Sequence, residues 1–181
     1  RDNIDAKPVI KTGIELLDSQ LEVMGPMIVN FLAPAKRYKS ITLNSCGFAA
    51  ILQGYNVAHF VFENSIDLTE NRYDALFNNI NYNRLKSAAI SESEKELFDN
   101  RMNWVKSWKS RLKIVECVPK TTTIKNLSDW VEKHRDMEGF IPHCFVIDYA
   151  NIVKPSISQK EGERADQEKV FWDIKELVKT Y

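Results

Sequence analysis

Short apolar runs alternate with longer amphipathic stretches along almost the whole chain, and that alternation leaves few folds open. Residues 27–32 (Met-Ile-Val-Asn-Phe-Leu) read as a buried strand, and residues 40–53 as the helix after it, stopped by Gly54. Residues 57–62 form a second apolar run. In 67–79, Leu68, Tyr73, Leu76 and Phe77 recur at near-helical spacing, with Ile80 just beyond. Residues 91–109 read as a charged helix opened by a Ser91/Glu94 capping box, and 112–118 as a third strand stopped by Pro119. Thr121 to Thr123 offer a cap for a helix that buries Ile124, Leu127, Trp130 and Val131 and closes at Gly139. A fourth strand ends at Asp148. A polar loop then leads to a last helix over 163–179 with Val170, Ile174, Leu177 and Val178 inward. Strand alternating with helix predicts an α/β fold: a mainly parallel sheet with helices on both faces. Ligands of such sheets bind beyond the carboxyl ends of the strands. That rule singles out residues 33–40, 63–64 and 148–151.

Composition removes other classes. The 181 residues include 25 Lys+Arg against 25 Asp+Glu, so no global basic field draws in nucleic acid. No apolar run is long enough to span a bilayer, so no membrane role is expected. Cys46, Cys117 and Cys144 lie far apart with no Cys-x-x-Cys, and His59, His134 and His143 are not at metal-site spacings. The three thiols read as small buried hydrophobes in a reducing, cytoplasmic setting. Trp104 and Trp108, four apart on one helix, read as packing rather than base stacking.

Three pieces carry chemistry. Ala33-Pro34-Ala35-Lys36-Arg37-Tyr38-Lys39-Ser40 joins the expected first strand to its helix. A phosphate loop needs backbone N–H groups turned inward, a helix N-terminus facing the anion, and a Lys that reaches the β/γ oxygens. A Ser or Thr hydroxyl next to that Lys holds Mg2+. Lys39-Ser40 meets the last demands, but Ala33 and Tyr38 stand where such loops carry Gly; the alternative is a basic turn capped by Ser40. Asp148, ending an apolar strand, suits the acid that holds the metal, or is a turn residue. Glu63, ending residues 57–62, suits a carboxylate that activates water, or is an exposed surface acid.

The chain resembles the RecA-like ATPase core of DnaB-type replicative DNA helicases, of a phage or mobile-element kind. Thr12-Gly13-Ile14-Glu15-Leu16-Leu17-Asp18 is similar to that family's opening motif T-G-x-x-x-L-D. Residues 28–40 match its first strand and phosphate loop, and residues 54–65 the run G-x-x-V-x-x-x-S-x-E-M-S. Residues 144–155 match its V-I-D-Y-L-Q-L-I-x-P run. The resemblance implies an ATP-dependent helicase that uses ATP and Mg2+, with Lys39 and Glu63 catalytic, residues 33–40 on the phosphates, and Ser40 and Asp148 on the metal. It also implies self-association into a ring, a hexamer, and contact with single-stranded DNA through parts beyond this chain. Residues 1–181 are expected to be one RecA-like domain lacking the C-terminal part of the family core, including the arginine that completes a neighbour's site. Two other readings stay open: another RecA-like ATPase of recombination type, or a degenerate P-loop module that binds partners without hydrolysis.

Three positions depart from the family pattern: Tyr38 for Gly before the lysine, Asn64 for Met after the glutamate, and Asn151 for Gln after the aspartate strand. Tyr38 either crowds the β-phosphate or belongs to a variant loop with its ring turned outward.

Overall fold

A computed structural model describes residues 9–34, 36–157 and 162–181, the side chain of Met24 excepted. In chain order its elements are β1 (Val9–Ile10), α1 (Glu15–Asp18), β2 (Val23–Met24), α2 (Lys39–Leu52), β3 (Val57–Val61) and α3 (Ile66–Asn78). There follow α4 (Tyr82–Lys86), α5 (Glu92–Lys106), β4 (Leu112–Glu116), α6 (Ile124–Glu138), β5 (Cys144–Asp148), a 3-10 turn at Ala150–Ile152, and α7 (Glu163–Thr180). The central sheet has the order β4-β3-β5 and is parallel throughout. Val57 faces Leu112 on one side and Cys144 on the other; Val61 faces Glu116 and Asp148.

Every residue of β3 is buried, as befits a middle strand covered on both faces. Alternate residues serve alternate layers. Ala58, Phe60 and Phe62 pack with Ile124, Leu127 and Val131 of α6 and Val170, Ile174 and Leu177 of α7. On the other face Val57 and Val146 pack with Ala50 and Ile51 of α2 and Tyr73 of α3. The expected helices form within a residue or two of their sequence limits at most ends, and their caps are those the sequence offers. Ser91 and Glu94 close a reciprocal capping box, Thr123 caps α6, and Gly139 ends it at φ 61°.

One expected element is absent. Residues 27–32 are not a strand, and Met27, Ile28 and Leu32 are 40%, 39% and 88% exposed. The cause lies in the sheet. β5 pairs with β3 along one edge only. Beyond its other edge is a cavity of about 550 Å3, lined by residues of 25–33, by β5 and by Phe171, Ile174 and Tyr181. Paired strands lie about 4.8 Å apart. With a cavity in that interval the apolar run has no backbone to bond to. The polar loop before α7 lies partly outside the described residues.

The Thr12-Gly13 motif has a physical reason. The Asp18 carboxylate accepts from Thr12 N–H (2.7 Å), Thr12 Oγ1 (2.7 Å) and Gly13 N–H (3.0 Å), closing the loop ahead of α1. Those bonds, the Thr12 hydroxyl's foremost, hold the Asp18 pKa below the usual carboxylate range. Gly13 sits at φ 80°, and a Cβ there would meet Ala49 Cβ at 2.8 Å. Gly13→Ala therefore combines left-handed strain with a clash against α2. It should lower stability by about 1–3 kcal/mol, read as a reduced urea midpoint with unchanged m-value.

His59 is fully buried in β3, with Nδ1 3.0 Å from the Tyr73 hydroxyl. Burial, and secondarily the Arg72 charge, pushes its pKa down to about 3. The folded protein thus keeps a neutral imidazole while the unfolded chain protonates near pH 6.5. This contribution to stability is complete above about pH 6.5 and is lost as pH falls from there towards 3, at about 1.4 kcal/mol per pH unit. Thermal melts between pH 7 and 4.5 should show that slope, and His59→Gln should flatten it.

Candidate functional site

The loop before α2 turns through left-handed backbone at two non-glycine residues, Lys36 (φ 58°) and Tyr38 (φ 61°). Tyr38 precedes the first helical residue and takes the conformation a glycine would adopt freely. Its side chain is 73% exposed, so the ring points away from the loop. No side chain caps α2. Its first N–H groups have no acceptor within the helix and stand at the positive end of the helix dipole, which together make an anion site. Lys39 Nζ donates to Ala33 O (2.9 Å) and lies 5.6 Å from the centre of the Tyr149 ring, spanning from the start of the loop to the end of β5. Pro34, Lys36 and Arg37 are exposed around the loop, and Ala35 lies outside the described residues.

The parallel register continues past the last residue of β3: Phe62 N–H donates to Asp148 O at 2.9 Å. Glu63 and Asn64 therefore leave the sheet at the edge where Asp148 ends. The Glu63 side chain is exposed. The Asn64 amide Nδ2 donates to Ser40 Oγ (3.3 Å) and to Asp148 Oδ2 (3.2 Å). Three elements, the start of α2 and the ends of β3 and β5, thus converge on one amide group. Sequence reading noted Asn64 only as a departure; its bridging position follows from the β3–β5 register, which no local pattern encodes. Asn151, the other departure, is exposed after β5.

The residues fit a phosphate with a hard cation. Asp148 is 2% exposed, and its Oδ1 is buried without a hydrogen-bond partner. A buried carboxylate so under-served suits an oxygen-preferring divalent ion such as Mg2+. Ser40 Oγ stands on the same amide, and the α2 N-terminus with Lys39 supplies the positive groups a phosphate needs. Elsewhere the chemistry is inert. Among the described residues no three His, Cys, Asp or Glu side chains cluster as metal ligands. Burial pushes the thiols of Cys46 and Cys117 up to about 11 and that of Cys144 to about 12, so they behave as packing groups. Trp108 packs edge-on against Phe77 at 6.0 Å and against Trp104 at 4.9 Å, while Trp104 itself is 62% exposed. Among the described residues no helix is long and apolar enough to cross a membrane.

A parallel α/β sheet with a lysine-bearing loop opening into a helix defines a RecA-like fold, and this chain has the fold of the ATPase domains of DnaB-like helicases. One such ATPase domain matches with a TM-score of 0.64 and 12% sequence identity, over 81% of this chain and 50% of that one. A DnaB-like replicative helicase, described with its interactions with primase, matches with a TM-score of 0.60 and 12% identity, over 81% of this chain and 34% of its own. The chain thus spans half or less of the structures it matches. No family model matches the sequence, and no curated protein matches it.

Tyr38 gives a direct check of the loop. Relief of its left-handed strain is worth about 1–2 kcal/mol, against about 0.5–1 kcal/mol for the added freedom of the unfolded glycine chain. Tyr38→Gly should raise stability by about 0.5–1 kcal/mol, measured by urea denaturation.

Proposed function

We propose that the chain is the ATP-binding core of a ring-forming replicative DNA helicase. The observation that supports this most is the convergence of Lys39, Ser40 and Asp148 beside the open N-terminus of α2, on a helicase-type fold. In this reading the α2 N–H groups and Lys39 bind the β/γ phosphates, with residues 33–38 wrapping them. Ser40 and Asp148 hold Mg2+, whose charge, when it is bound, offsets that of the phosphates. Glu63, at the same edge, orients the attacking water and accepts its proton. Self-association into a hexameric ring and contact with single-stranded DNA belong to the same reading.

Calorimetric titration with a slowly hydrolysed ATP analogue and Mg2+ tests it. The parent chain should bind and Lys39→Ala should not. Because the Tyr38 ring is outward, Tyr38→Gly should not tighten binding. A parent that takes up no nucleotide would instead favour a degenerate loop that serves a partner. Turnover should be slow in a monomer, since an arginine contributed by a neighbour is worth about 10³–10⁵ in rate in related phosphoryl transfer. A steady-state phosphate-release assay on monomeric protein checks this; brisk turnover abolished by Lys39→Ala would contradict it.

A further inference from the structure

Asn64 is better placed than a chance surface amide. Its backbone is anchored on both sides. Phe62 N–H bonds to Asp148 O just before it, and Ser65 just after it caps α3, its Oγ accepting from Leu68 N–H at 3.3 Å. The side chain is therefore aimed between Ser40 and Asp148, bonding both through Nδ2. The Asp148 carboxylate is almost wholly buried, one oxygen holding this single neutral donor and the other holding none. An ionised carboxylate accepts about four hydrogen bonds, and burying it with less is costly. The deficit is of positive charge, and the amide covers it only in part.

A carboxamide carries a donor and an acceptor at equal reach, exchanged by a half-turn about a soft terminal torsion. Facing a bare carboxylate, its NH2 end turns in. Facing a divalent cation, repulsion of the NH2 and attraction of the carbonyl oxygen turn it over, with no movement of the backbone. Mg2+ keeps several waters and takes few protein oxygens, so one more neutral oxygen is a useful ligand, directly or through a bound water. We propose that Asn64 is the third arm of the cation site formed by Ser40 and Asp148, holding its two partners through NH2 when the cation is absent and offering Oδ1 when it is present. This rests on the nucleotide-and-metal reading of the same site.

The test is the gain in affinity for a slowly hydrolysed ATP analogue that Mg2+ adds over EDTA, measured calorimetrically for the parent, Asn64→Leu, Asn64→Asp and Asp148→Asn. Thermal melts check that each variant folds. The parent should show a gain that Asp148→Asn removes. Asn64→Leu, similar in size but without a ligand oxygen, should reduce the gain about tenfold. Asn64→Asp should enlarge it, which a purely structural asparagine would not do. A full Mg2+ gain in folded Asn64→Leu, or a loss equally large in EDTA, overturns the inference while leaving the nucleotide site standing. A gain that survives Asp148→Asn, or a parent that binds no nucleotide at all, overturns both.

Discussion

The parallel pairing of β3 with β5 is the constraint on which the site depends. It sets Val61 opposite Asp148 and carries on through the bond from Phe62 N–H to Asp148 O. It also buries β3 completely between two helical layers. A slip of one residue would turn Phe60 and Phe62 out of one core and take Asn64 away from Asp148. Burial of the strand and geometry of the site are enforced together, because the same register decides both.

The loop ahead of α2 shows how backbone can be held without the residue that suits it best. Lys36 and Tyr38 both occupy left-handed backbone without being glycine. What keeps them there is tertiary. Tyr38 O accepts from Thr42 N–H and from Thr42 Oγ1, and Lys39 Nζ ties back to Ala33 O. The tyrosine ring escapes into solvent rather than into the loop. The conformation demanded there is the familiar one, while its side chain is put where a phosphate would not meet it.

Buried polar groups mark the same region. Asp148 and His59 both lie in or at the end of the central strands, each below a tenth exposed. His59 is satisfied in part by Tyr73, whose hydroxyl packs directly against Gly47 of α2. That close approach brings α3 onto α2, and so fixes the N-cap of α3 that follows Asn64. Packing between the two helices therefore steadies a side chain at the sheet edge, which neither helix contacts through its own apolar face.

Much was legible in the sequence because it is local. Helix limits follow from periodicity and from caps such as Ser91/Glu94, Thr123 and Gly139, whose bonds span only a few residues. The middle strand was legible because an unbroken apolar run suits burial on both sides. Lys39, Ser40, Glu63 and Asp148 stood out as chemistry-bearing residues at strand ends. What the sequence did not decide was pairing. Residues 27–32 are as apolar as a buried strand, yet a strand exists only where a neighbour offers its backbone, and a cavity lies between them and β5. Nor could it say that Asn64 would join Ser40 to Asp148, or that the Tyr38 ring would face outward. Those outcomes depend on register and on helix packing between residues distant in the chain, and only the tertiary structure decides such contacts.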